Sequence, residues 1–108
     1  MSSLTTHVLD VARGIPAGGM RIELWSVEPS KLLKSVKTNS DGRIDSALLS
    51  GGEMIAGTYE LVFLVGDYFG DSKFLDRVPV RFKISDVSAK YHVPLLVTPW
   101  SYTTYRGS

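Results

Sequence analysis

His7 and His92 are the only imidazoles in the chain, and each stands beside residues that are unusual for a core. His7 follows two threonines in Leu4-Thr5-Thr6-His7-Val8-Leu9-Asp10, and His92 precedes Val93 and Pro94. A lone histidine in a strand is more often structural than chemical. Two arginines change that balance. Arg43 comes directly after Asn39-Ser40-Asp41-Gly42, and Arg106 stands in the terminal Tyr105-Arg106-Gly107-Ser108. Two possible bases and two fixed cations therefore come from four separate segments. Clustered, they would form a polar site able to activate water and stabilise an oxyanion.

Other chemistries fail on spacing or residue type. There is no Walker or dinucleotide glycine pattern and no G-x-S-x-G elbow. Two histidines and an aspartate could bind zinc, but nothing has ligand spacing. Cysteine is absent, which excludes disulfides, a thiolate nucleophile and cysteine-ligated zinc, and suits a reducing compartment. With 12 basic and 11 acidic residues and no block of like charge, nothing points to nucleic acid or an acidic membrane. Trp25, Trp100 and the tyrosines are not interleaved with a basic stripe, so base stacking is unsupported. The longest apolar run, residues 61–65, is too short to span a bilayer, and the N-terminus has no signal-peptide pattern. A cytoplasmic protein is expected.

The elements that would position these residues read as strands. A chain of 108 residues that is 44% hydrophobic fits one domain, residues 1–108, around one core. Residues 4–11 alternate, with Leu4, Thr6 and Val8 on one face and Thr5, His7 and Leu9 on the other. Residues 13–19 read as a loop. Residues 20–27 alternate with Met20, Ile22 and Leu24 inward, and residues 30–38 carry lysines that suit a solvated or edge strand. Asp41-Gly42 marks a turn that holds Arg43 at its tip. Residues 58–65 are apolar on both faces, so that strand is central or interfacial. Residues 66–76 have no strand pattern; Tyr68, Phe69, Phe74 and Leu75 could anchor one short helix. Residues 78–84 and 91–97 complete the internal strands. Pro94 donates no ladder hydrogen bond, so its nitrogen must face an edge, a bulge or a gap. The last nine residues are dense in rings and hydroxyls and alternate as a further strand, with Gly107 free to aim Arg106 and the chain end. Short strands without βα alternation predict a β-sandwich.

Four segments together resemble the transthyretin-like 5-hydroxyisourate hydrolase family. They are Leu4-Thr5-Thr6-His7-Val8-Leu9-Asp10 with Gly14, Pro16 and Ala17; Thr38-Asn39-Ser40-Asp41-Gly42-Arg43; Tyr91-His92-Val93-Pro94-Leu95-Leu96; and Tyr105-Arg106-Gly107-Ser108. The terminal tetrapeptide separates the enzyme from the hormone-carrier branch of the fold, which lacks it and the histidines. The resemblance implies an all-β, two-sheet sandwich of about eight strands with one short helix. It implies a homotetramer, a dimer of dimers with the active site in the cleft between them. The implied catalytic residues are His7, Arg43 and His92, and the implied substrate-binding residues are Tyr105, Arg106, Gly107 and Ser108. The implied reaction is hydrolytic opening of 5-hydroxyisourate at a cyclic amide in urate degradation, without metal or cofactor. The product would be 2-oxo-4-hydroxy-4-carboxy-5-ureidoimidazoline.

The residues themselves leave open which histidine takes the proton. They also leave two non-enzymatic classes, a small-ligand carrier on the same sandwich and an immunoglobulin-like binding module. A carrier's cleft should be apolar; here it would hold histidines and arginines.

Overall fold

The period-2 runs form strands that alternate between buried and partly exposed residues. The computed structural model describes residues 2–108, and nine strands form among them. In chain order these are β1 (Ser3–Asp10), β2 (Ile15–Pro16), β3 (Arg21–Ser26), β4 (Lys31–Lys37), β5 (Leu49–Ser50), β6 (Gly57–Leu64), β7 (Arg77–Ile84), β8 (Lys90–Val97) and β9 (Tyr102–Thr104). One short helix, α1 (Val65–Phe69), lies between β6 and β7. One sheet runs β2-β1-β8-β9, with β5 also pairing β1; the other runs β4-β3-β6-β7. The fold is the all-β, two-sheet sandwich with one short helix that the sequence predicts, with nine strands where about eight are expected.

Between the sheets lies one apolar cluster. Leu4 and Val8 of β1, Ile22 and Leu24 of β3, Leu61 and Phe63 of β6, and Leu95 and Val97 of β8 are all buried in it. Each such side chain contributes about 1.5–3 kcal/mol relative to an exposed one. The lysine-bearing β4 sits at a sheet edge and β6 is internal, both as expected.

The pairing of β1 with β8 is parallel and sets the geometry of the site. It runs in register from Ser3 opposite Lys90 to Asp10 opposite Val97. The buried Thr6 hydroxyl donates to the Val93 carbonyl oxygen at 2.7 Å, tying the two strands together on the core side. On the outer face, the same register sets Thr5 beside His92 and His7 beside Pro94.

Three local expectations are refined. Residues 13–19 are not wholly a loop: Gly14 N–H donates to the Asp10 oxygen, and the chain folds back so that Ile15–Pro16 pairs with Leu9 and Asp10. The helix contains Tyr68 and Phe69 but neither Phe74 nor Leu75, because a backbone bond from Gly70 to Gly66 closes its last turn. Phe74 is instead exposed and stacks on Trp100, with ring centroids 6.2 Å apart. The C-terminal strand begins only at Tyr102, because Thr98 Oγ1 accepts from the amides of Trp100 and Ser101 and turns the chain there.

Pro94 lies in a gap. Leu95 pairs with Thr104, which puts Pro94 opposite Tyr105, where the β9 ladder has lapsed. Pairing resumes at Gly107, which bridges to His92. The missing proline donor therefore costs the sheet no bond.

Candidate active site

His7 and His92 both project from the outer face of the first sheet, away from the core and partly buried. Four segments meet across that face. Arg43 forms a backbone bridge with His7 on the far side of β1, and Gly107 forms one with His92 on the far side of β8. The order across the sheet is thus the Arg43 loop, β1, β8 and the chain end.

The Arg43 loop is built by its own sequence. Asn39 Oδ1 accepts from the amides of Asp41 and Arg43 at 2.9 and 3.2 Å, which winds the turn. Gly42 has φ 74° and lies so close to the Val8 carbonyl that a Cβ there would collide with it. Its own carbonyl accepts from the Val8 amide at 2.8 Å. The loop is therefore fastened to β1 directly beside His7. It also contributes the Asp41 carbonyl, which accepts from His7 Nε2–H at 2.9 Å. With Nε2 carrying the proton, a neutral His7 keeps Nδ1 as its accepting nitrogen.

His92 is held on two sides. Its Nδ1 is 2.8 Å from the Thr5 hydroxyl. On the other side, Gly107 donates its amide to the His92 carbonyl at 2.7 Å and packs against the ring. A Cβ on Gly107 would sit 2.6 Å from Cδ2. Burial lowers the His92 pKa, and the charges of Arg43 and His7 lower it further. The ring is thereby held neutral near pH 7.

Beside this pair lies a hollow of about 290 Å³ lined by Thr5, Arg43, Lys90, His92 and Ser108. Two cations and an imidazole facing one cavity suit a polar, electron-rich ligand that gains negative charge as it reacts. Sequence reasoning did not single out Thr5 or Lys90. Both were within reach of it, since each lies two residues from a histidine and so shares its strand face.

Of the seven residues expected at the site, Arg43, His92 and Ser108 line this hollow, and His7 and Gly107 adjoin it through their backbone bridges to Arg43 and His92. Tyr105 and Arg106 lie elsewhere within the chain. They line a separate hollow of about 350 Å³ with Phe82 and Tyr91. The Arg106 guanidinium lies 4.3 Å from the centre of the Tyr91 ring and donates to the Lys90 carbonyl at 3.0 Å. A larger hollow of about 470 Å³, near Glu28, Lys34 and Tyr59, contains no histidine.

Residues 4–107 match the pattern of the HIUase/Transthyretin family. A 5-hydroxyisourate hydrolase 2 of Rhizobium meliloti (strain 1021) is 52% identical over 114 residues, covering 97% of this chain and 95% of its own. The solved structure of Klebsiella pneumoniae 5-hydroxyisourate hydrolase superposes with a TM-score of 0.87 at 34% identity, covering 100% of each chain. Sea bream transthyretin, solved in complex with thyroxine, superposes with a TM-score of 0.88 at 25% identity, covering 97% of this chain and 94% of that one.

Proposed function

The chain belongs to the HIUase/Transthyretin family, and from that premise we propose that it is an enzyme that opens the ring of 5-hydroxyisourate by hydrolysis at a cyclic amide. The observation that carries this reading is the strand pairing that brings His7, His92 and Arg43, from three distant segments, onto one sheet face, where Arg43 and His92 line a polar hollow. The carrier reading would leave the imidazole and the guanidinium that line it without a task.

In the reaction, the oxygen of water bonds to the amide carbon and its proton passes to an imidazole. His7 Nδ1 suits that acceptance, because Nε2–H is already engaged with Asp41. Negative charge then develops on the former carbonyl oxygen, where Arg43 and Lys90 supply positive charge and a hydrogen-bond donor is needed. The C–N bond breaks and the leaving nitrogen takes the proton back from that imidazolium. The fork of Arg43 fits the paired oxygens and nitrogens of a ureide edge better than an ammonium would. Ser108 closes the hollow from the chain end.

The same reading comprises one hydrolase domain over residues 1–108, acting in the cytoplasm, which the cysteine-free sequence suits. It includes a homotetramer built as a dimer of dimers, with Tyr105 and Arg106 joining substrate binding from the tail. The outer sheet face that holds the site would then be roofed by another protomer.

Freshly generated 5-hydroxyisourate, followed by its absorbance with and without the pure protein, tests the proposal. The protein should accelerate the loss well beyond the spontaneous rate. Equal rates would overturn it.

A further inference from the structure

The Thr5–His92 contact joins side chains 87 residues apart, and nothing in the reaction scheme has used it. The β1–β8 register puts the two residues side by side, with the hydroxyl oxygen 2.8 Å from Nδ1. Among the described residues, that nitrogen is the one partner of the Thr5 hydroxyl. A hydroxyl can donate or accept, whereas a neutral imidazole has one nitrogen of each kind. If Nδ1 accepts from Thr5, the ring proton must be on Nε2. The Cδ2 edge is closed by Gly107, so the edge between Cε1 and Nε2 is the one left to face a ligand.

We propose that Thr5 is a positioning residue whose hydroxyl donates to His92 Nδ1, fixes the Nε2–H tautomer and makes His92 the hydrogen-bond donor at the site. This rests on the hydrolase reading for its catalytic consequence, though not for the contact. It also divides the work between two chemically identical side chains. His7 has Nε2–H engaged with the Asp41 carbonyl and offers Nδ1 as base. His92 has Nδ1 engaged with Thr5 and offers Nε2–H as a hydrogen bond to the developing oxyanion, while the leaving nitrogen takes its proton from the His7 imidazolium. Each ring is oriented by its second nitrogen, as histidines with assigned roles generally are.

Long-range proton–nitrogen NMR on the full chain with labelled histidine reads the tautomer directly and without substrate. A His7→Gln variant identifies the His92 signals. Wild-type protein and Thr5→Ser should show His92 wholly as Nε2–H, and Thr5→Val should show a mixture of both tautomers. In kinetics, Thr5→Val should lower kcat about tenfold with KM within about twofold, and Thr5→Ser should recover most of the rate. A populated Nδ1–H form in wild-type protein would overturn the assignment. So would a Thr5→Val variant that loses activity while its tautomer stays unchanged, since the role would then be structural. Failure of wild-type protein to hydrolyse 5-hydroxyisourate would instead sink the hydrolase reading, a result distinguishable from either.

Discussion

His92 resists protonation because its ring is partly buried and because Arg43 and His7 face it with positive or potentially positive charge. Its titration midpoint, followed by NMR, should therefore lie below the ordinary imidazole value of 6.5. Replacing Arg43 with Gln should move that midpoint upward, and an unmoved midpoint would mean that the guanidinium does not reach the ring. The unfolded chain binds the His92 proton more readily than the folded one, so this contribution is full above the unfolded value and is lost as pH falls through the folded value. At this scale the sequence was informative about residue type but not about partners. His7, Arg43 and His92 stood out as the rare imidazoles and a turn-tip cation. The Thr5 contact needs a strand register across 87 residues, and no local pattern carries that. The direction of Arg106 was equally hidden, because it depends on where Tyr91 and the Lys90 carbonyl lie.

Elements bring the site together chiefly through backbone pairing, with the Thr5–His92 bond as its one side-chain tie named above. The parallel β1–β8 ladder sets both histidines on one face, and the Arg43 loop is locked to β1 through Gly42. A Gly42→Ala variant should lose about 2 kcal/mol or more of stability, from the left-handed backbone and the collision with Val8. It should also lose activity beyond what its folded fraction explains, because Arg43 is the next residue. Thermal unfolding and kcat/KM on the same sample check this; an unchanged Tm would mean that the loop can relax away from β1. Alternation made the long strands legible, and Pro94 signalled an edge, a bulge or a gap, of which the ladder has the gap. The two-residue strands β2 and β5 were invisible, since each is held by its partner rather than by its own periodicity. Phe74 looked like a helix anchor because hydrophobicity alone does not reveal that the helix ends at Phe69.

For the whole molecule, the proposed tetramer would cover an outer sheet face that now presents two histidines and an open hollow. Closed symmetric pairing is the usual way to satisfy such a face and the sheet edges beside it. The chain end matters in the same way. Ser108 lines the hollow, so a C-terminal purification tag should sharply reduce activity while leaving the oligomer intact by light scattering. An N-terminal tag should be milder. Equal activity in both tagged forms and the untagged protein would make the tail only the end of an edge strand. Light scattering on the untagged protein should report a tetramer at micromolar concentration, and an active monomer would contradict a site completed between dimers.

Whether two histidines on one sheet face carry the hydrolysis is decided by one assay. The loss of freshly made 5-hydroxyisourate should be timed with wild-type protein, His7→Ala and His92→Ala, each shown by circular dichroism to be folded. Wild-type protein should far outpace the spontaneous reaction, and each variant should fall by about two orders of magnitude or more, as for loss of a positioned acid–base group. Wild-type turnover in a folded variant of either histidine would contradict the account.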